Sequence, residues 1–424
     1  MKKRTRQVAT DLKKMVLTFM LAAVAVAAAA QPAPALLGSW SGKLNVGSMA
    51  LTLVLHLEQT DGQVKAVLDS PDQGAKGIAA YLDFLSDDSL AVKVQSIGMS
   101  YRARLNDGKL DGTFEQNGFA APLVLTKGVP EVKRPQTPQP PYPYTAEEVT
   151  FSNEADGATL AATLTWPVGY DGSQKPAVVL LVSGSGQQNR DEEVFDHKPF
   201  LVIADYLARQ GIATLRYDDR ATGASVGGEV KKATTADFMR DAAAGLDFLR
   251  ARGTFAKVGV LGHSEGGTIA FMLGAQGKPD FIISLAGPGV KGDTVLAAQS
   301  NRIRSLSGLP ADMTVEKYRQ QTVVSEMPWL AWFVDYDPSA DIRQTRCPVF
   351  ALGGDRDCQV IASQNLSAIR QLLPPSDKNV VKEYPMLNHL FQHCQTGLPM
   401  EYSRIEETFS PEVLGDIVEW ISGL

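Results

Sequence analysis

Residues 257–273, KVGVLGHSEGGTIAFML, set an apolar run against a serine held between glycines, and a second apolar run follows at once. The first run is strand-like in length and content, while the second repeats at helical spacing. A strand that turns this tightly into a helix is the building unit of a mostly parallel sheet covered on both faces. The same alternation extends to either side. Strands are expected at 158–167, 177–186, 213–219, 257–264, 281–289, 348–355 and 379–385, with helices at 199–210, 235–252, 265–276, 362–373 and 410–422. Residues 290–346 separate two strands by more than one helix needs, which predicts a helical insertion at the rim of the sheet.

Ahead of residue 146 the pattern changes. Between 37 and 127, short alternating runs such as LTLVLHL (51–57), VKAVLDS (64–70) and SYRARLN (100–106) are separated by turn residues, Asp61-Gly62 and Asn106-Asp107-Gly108 among them. Strands this closely spaced pair as hairpins and form a small all-β barrel or sandwich. Its histidine, His56, lies inside a strand and reads as packed or solvated. Residues 128–145 are rich in proline and lack apolar periodicity, so they read as a semi-rigid linker to a second domain at 146–424.

The first 14 residues are basic, and the uncharged MVLTFMLAAVAVAAAA (15–30) follows. This is the layout of a secretory signal peptide at 1–30, cleaved after Ala30. The expected mature chain is periplasmic or secreted, bacterial, and without stable membrane association. The basic start holds a net charge of +5 within a formal total of −6, so the remainder carries −11. A chain that acidic is a poor partner for nucleic acid or anionic lipid. Three cysteines, Cys347, Cys358 and Cys394, exclude a disulfide scaffold.

GHSEG, Gly262 to Gly266, satisfies G-x-S-x-G between a strand and a helix, the context in which that pattern holds a strained, exposed nucleophile. Ser264 then needs a base, and the base needs an acid to orient it. In a sheet of this order both follow the serine, acid first. GGDRDCQV (353–360) offers Asp357, with Asp355 as the alternative, and MLNHLFQH (386–393) offers His389, with His393 as the alternative. His197 precedes the serine, and His263 points away from it on the elbow. Developing negative charge needs two backbone N–H donors. They are expected from Glu265 and from Ser185 or Gly186 in SGSGQQNR (183–190), a loop whose Asn189 breaks the dinucleotide-binding glycine pattern. The charged RYDDRATGAS (216–225) reads as turn chemistry and ion pairing. Trp329, Trp332 and Phe333 read either as a substrate pocket or as packing of the insertion on the sheet. Cys358 and Cys394 closely follow the acid and the base and are candidates for a disulfide tying the two loops.

The segments SGSGQQNRDE (183–192), YDDRATGAS (217–225), GHSEGG (262–267), CPVFALGGDRDCQV (347–360), LNHLFQ (387–392) and EYSRIEETFSPEVL (401–414) resemble the α/β-hydrolase superfamily. Within it, the chain is similar to the secreted bacterial carboxylesterases of the EstD type, which group with serine aminopeptidase-like hydrolases. The resemblance runs over nearly the whole mature chain. It implies Ser264 as nucleophile, Asp357 as acid, His389 as base, and hydrolysis of short-chain acyl esters without a cofactor. In one departure, Ala221 stands where such families usually read glycine, which loosens that turn and leaves the triad alone.

The expected architecture is therefore an α/β hydrolase fold preceded by a small all-β barrel-like domain, with no metal site. The expected activity is cleavage of small-molecule esters through an acyl-enzyme. Two rival readings are a serine peptidase with the same triad and a glycan- or lipid-binding protein that works through the barrel.

Overall fold

Eight antiparallel strands form the N-terminal unit: β1 Gly38–Val46, β2 Met49–Thr60, β3 Gln63–Ser70, β4 Ala75–Leu85, β5 Ser89–Val94, β6 Met99–Asn106, β7 Lys109–Gln116 and β8 Phe119–Lys127. Each pairs with the next, and β8 returns to β1 through Trp40↔Lys127 and Ser41↔Thr126, so the sheet closes as a barrel. The computed structural model describes residues 35–47, 49–129, 132–321 and 327–424, and the signal peptide expected at 1–30 lies outside them. The chain divides into two units between Val132 and Lys133.

Alternation fills the barrel. Leu53, Leu55 and Leu57 on β2 face Leu90, Val92 and Val94 on β5 and Tyr101 on β6, all buried. Each such aliphatic side chain stabilises the unit by about 1.5–3 kcal/mol through burial. Two strands carry no such signal in sequence: β1 is broken by glycine and serine, and β4 buries no residue fully and shifts register between Leu82 and Phe84. His56 is structural, lying 2.8 Å from Ser39 Oγ and 2.9 Å from Asp69 Oδ2.

The second unit is a nine-stranded sheet. Its strands are β9 Ala146–Asn153, β10 Ala158–Thr165, β11 Ala177–Val182, β12 Ala213–Tyr217, β13 Val226–Gly227, β14 Lys257–His263, β15 Ile282–Leu285, β16 Val349–Gly354 and β17 Val380–Tyr384. From β12 through β11, β14, β15 and β16 to β17 every neighbouring pair is parallel, while β10 pairs antiparallel with β12, β9 and β13. The helices are α1 Pro199–Arg209, α2 Thr235–Ala251, α3 Glu265–Ala275, α4 Gly292–Leu306, α5 Val315–Gln321, α6 Pro328–Asp335, α7 Ser339–Gln344, α8 Ala362–Leu372, α9 Pro399–Tyr402 and α10 Pro411–Ser422.

The continuous apolar runs of the parallel strands have a simple cause. Val178, Leu180 and Val260 face one layer, with Leu246 of α2, Ile269 of α3 and Ile369 of α8. Val179, Leu181 and Leu261 face the other, with Phe200 and Ile203 of α1 and Val413 and Ile417 of α10. Both faces are dry, so the sequence cannot alternate apolar with polar. The insertion between β15 and β16 holds α4, α5, α6 and α7.

The linker expected at 128–145 needs correction. From Lys133 onward the stretch belongs to the second unit. Arg134 donates to the carbonyls of Ile405, Ser403 and Phe195 at 2.8, 2.8 and 3.0 Å, and Gln136 Nε2 donates to Phe409 O at 2.7 Å. A proline-rich backbone has few N–H groups of its own to donate, so these two side chains fasten it instead.

Candidate active site

Ser264 is the hinge between β14 and α3, and its backbone, φ 53° and ψ −115°, lies where a side-chain-bearing residue is strained. The glycines around it are obligatory. A Cβ on Gly262 would stand 1.9 Å from Gly266 O, and one on Gly266 would stand 2.1 Å from Val182 O; both obstacles are backbone and have nowhere to go. The turn is held by Ser264 N donating to Leu285 O at 2.8 Å and Gly267 N donating to Ser264 O at 2.9 Å. Ser264 is partly exposed, and its Oγ makes no hydrogen bond to a described residue. α3 begins directly behind it, so its N-terminal dipole favours negative charge there.

The loops after β16 and β17 meet at the same sheet edge. His389 Nδ1 lies 2.7 Å from Asp357 Oδ2. Asp357 Oδ1 accepts the backbone N–H groups of Gln359 and Val360 at 2.7 and 2.9 Å, which fixes the carboxylate. The buried Asn388 Oδ1 accepts the N–H groups of Leu390 and Gln392 and so shapes the turn that presents His389. The alternatives are engaged elsewhere. Asp355 is exposed and accepts Met386 N at 2.6 Å, and the solvent-facing His393 pairs with Glu407 at 2.8 Å.

Glu265 is the first residue of α3, so its N–H has no intrahelical acceptor. Gly184 of the loop after β11 packs against Ser264: a Cβ there would be 3.3 Å from Ser264 Cβ. Gly184 N is already donated to Glu192 Oε1 at 2.8 Å. The N–H groups of Ser185, Gly186 and Glu265 donate to no protein group among the described residues.

Of the three insertion aromatics, Trp329 alone is tied to the elbow, through Nε1 donating to Glu265 Oε1 at 2.8 Å. Phe333 is buried and stacks on Trp329 with centroids 5.3 Å apart, whereas Trp332 stacks on Tyr336 within the insertion. Burial pushes the Glu265 carboxyl above its ordinary value, against the opposing effect of Thr235, Trp329 and Ser185.

The disulfide considered for Cys358 and Cys394 is absent, and both thiols are free. Each has a backbone acceptor instead: Cys358 Sγ donates to Gly397 O at 3.1 Å and Cys394 Sγ to Met386 O at 3.5 Å.

Several residues around the site escape a motif-based reading. Arg190 clamps Asp218 through Nε at 3.1 Å and Nη2 at 2.9 Å, joining the loop after β11 to the loop after β12. Asp219 accepts Gln188 N at 2.9 Å, and burial pushes its carboxyl well up. Arg220 is buried against Asp241, with Nε 2.7 Å from Oδ2. Ala221 sits at φ +55°, the left-handed region that glycine occupies without strain. His263 is buried between Glu192 Oε1, 2.8 Å from Nδ1, and His389 O, 2.9 Å from Nε2. His197 is a core residue: burial pushes its pKa down to about 4, and it bonds Thr408 Oγ1 and Tyr402 O.

A family model described as serine aminopeptidase, S33, matches residues 177–390, half of the chain. The esterase EstD of Thermotoga maritima is 26% identical over 259 residues, covering 58% of this chain and 62% of that protein, less than two thirds of its length. Among solved structures, the Pyrococcus furiosus esterase Pf2001 is similar at 17% identity and a TM-score of 0.46, over 70% of this chain and 99% of that one. Est1E of Butyrivibrio proteoclasticus is similar at 16% identity and a TM-score of 0.40, over 65% and 99%. The chain belongs to the serine aminopeptidase (S33) family of α/β hydrolases.

Proposed function

We propose that this protein is a serine carboxylesterase, with Ser264 as nucleophile, His389 as general base and Asp357 as its orienting acid. The observation that carries the reading is the 2.7 Å contact between Asp357 and His389 at the sheet edge where the strained Ser264 projects. Asp357 accepts from Nδ1, which leaves Nε2 unprotonated to take the Ser264 proton. Oγ attacks the ester carbonyl, and the oxyanion is received by the N–H of Glu265 and that of Ser185 or Gly186. His389 returns the proton to the departing alcohol. It then deprotonates the water that releases the acid from the acyl-enzyme. No hydrogen bond joins Ser264 Oγ to His389, and catalytic contacts of this kind tighten in many enzymes only in the substrate complex.

The insertion crowds the rim, which favours short acyl groups, and the basic, alanine-rich segment at 1–30 supports export to the periplasm or medium. The similarity to EstD, described as an esterase, supports ester over amide for this chain. The family's description as a serine aminopeptidase supplies the second reading, a peptidase using the same three residues.

The deciding experiment is turnover of p-nitrophenyl esters from acetate to palmitate beside aminoacyl p-nitroanilides, with Ser264→Ala as control. Cleavage of the short esters, abolished in a folded Ser264→Ala protein, supports the esterase. Faster turnover of the anilides replaces it with the peptidase, and turnover that survives Ser264→Ala removes the nucleophile.

A further inference from the structure

His263 and Glu192 form a second buried acid–histidine pair directly behind the proposed triad. Glu192 and His263 are 3% and 6% exposed. Pro199, Phe200, Ile203, Leu285, Leu390 and Phe409 surround the pair. Such a pair is expensive to bury and is not by itself a source of stability. Its connections supply a reason for it.

Glu192 Oε1 accepts Gly184 N at 2.8 Å and faces His263 Nδ1 at 2.8 Å. His263 Nε2 faces the backbone oxygen of His389 at 2.9 Å, and the two imidazoles lie 4.8 Å apart, centroid to centroid. One ion pair thus touches the loop that carries Ser185 and Gly186, the residue before Ser264, and the residue proposed as base. A carbonyl oxygen only accepts, so Nε2 carries a proton. The carboxylate on the other side calls for a second proton on Nδ1, which makes His263 an imidazolium. Burial opposes that charge, and the Glu192 carboxylate outweighs it, so the His263 pKa lies above the ordinary histidine value.

We infer that the Glu192–His263 ion pair is a positioning device, in which His263 holds the backbone of His389 and Glu192 holds the donor loop through Gly184, both referenced to the elbow. This rests on the proposed roles of Ser264 and His389. The residues act through their neighbours and touch no substrate. The device has an intrinsic pH signature. When His263 loses its Nδ1 proton, a lone pair faces the carboxylate, and the link to Gly184 and His389 loosens. The titratable groups facing His263 are Glu192 after β11, Asp357 after β16 and His389 after β17. Activity should therefore fall as pH rises through the His263 pKa.

The test reads Ser264 directly with an alkyl fluorophosphonate, so that it does not depend on the ester substrate. In that reaction the Oγ–P bond forms, the P–F bond breaks, fluoride leaves, and His389 takes the hydroxyl proton. Labelling rates against pH are compared for wild type, His263→Phe, His263→Gln and Glu192→Gln, with folding checked by circular dichroism. His263→Phe, which removes both N–H groups, is expected to label about 10²-fold more slowly, the scale of a small misplacement of catalytic groups. His263→Gln keeps an N–H for His389 O and should recover about tenfold of that loss, with its alkaline limb gone. Glu192→Gln should also slow labelling and lose the limb. With p-nitrophenyl acetate the loss should fall on kcat, with KM within about threefold.

Variants that label as fast as wild type with the limb intact overturn the inference and leave the esterase standing. If every substitution unfolds the chain, the pair is a stability element and the inference is again overturned. Wild type that labels at Ser264 yet cleaves no ester overturns the esterase alone. Wild type that does not label at Ser264 overturns both.

Discussion

Trp329, on the insertion helix α6, donates its indole N–H to a carboxyl oxygen of Glu265, the residue immediately after Ser264, at 2.8 Å. The insertion is thereby tied to the elbow directly beside Ser264. Trp329→Phe keeps the ring and removes the donor from a buried carboxyl, a loss expected to cost about 1–3 kcal/mol. Urea unfolding measures it. Trp329→Ala also removes the indole from the rim, and its acyl-chain profile should shift toward longer p-nitrophenyl esters. An unchanged profile would assign Trp329 to packing alone.

The same carboxyl gives a stability change with a defined sign. Burial raises the pKa of Glu265 above 4.5, so the folded chain keeps a proton that the unfolded chain releases. Stability from the neutral carboxyl is therefore fully present below about pH 4.5 and declines as pH climbs toward the folded value. Asp219 acts in the same direction. Glu265→Gln has no proton to lose and still offers an oxygen to Trp329. Its stability relative to wild type should rise from about pH 4 toward neutrality in urea titrations at several pH values. A difference independent of pH would contradict it.

How much of this was legible in sequence depends on what each residue's role requires locally. Gly262 and Gly266 are dictated by close backbone approach within a few residues of Ser264, so the elbow can be read from five letters. The dry sheet could be read from its continuous apolar runs. By contrast, Glu192 meets His263 across 71 positions and Arg190 meets Asp218 across 28, and no periodicity connects either pair. Strand β9 was missed because its AEEVTFSN follows the prolines and buries only Phe151 and Asn153. β4 was missed because it is half-exposed along its length. Trp332 and Trp329 look alike in sequence, and only the packing of α6 directs one to Tyr336 and the other to Glu265.

Asp357 and Asp355 lie two residues apart and differ entirely in what they hold. Asp357→Asn retains an oxygen for Gln359 N and Val360 N but presents its amide to His389 Nδ1, which selects the wrong tautomer. A folded protein with kcat reduced about 10⁴-fold is expected. Asp355→Asn still accepts Met386 N and should stay within about tenfold of wild type, because its contact braces the loop without touching His389. Ester kinetics on both variants, with thermal melts as the control, decide it. Equal losses would mean that the acid has been assigned to the wrong carboxylate.

The free thiols make the last prediction. Cys358 and Cys394 lie on the loops that carry Asp357 and His389; Cys358 donates across to Gly397 O on the loop after β17, while Cys394 donates to Met386 O within its own loop. Burial pushes the Cys358 thiol up to about 12, and likewise the Cys394 thiol up to about 12. The thiolate is the reactive form, so neither side chain should alkylate at neutral pH in the folded protein. Iodoacetamide followed by mass spectrometry should find both unmodified when native and both modified after denaturation without reductant. A pair that resists alkylation in denaturant until reductant is added would be a disulfide, and the loops of Asp357 and His389 would then be held by a covalent bond rather than by the Cys358 hydrogen bond to Gly397 O.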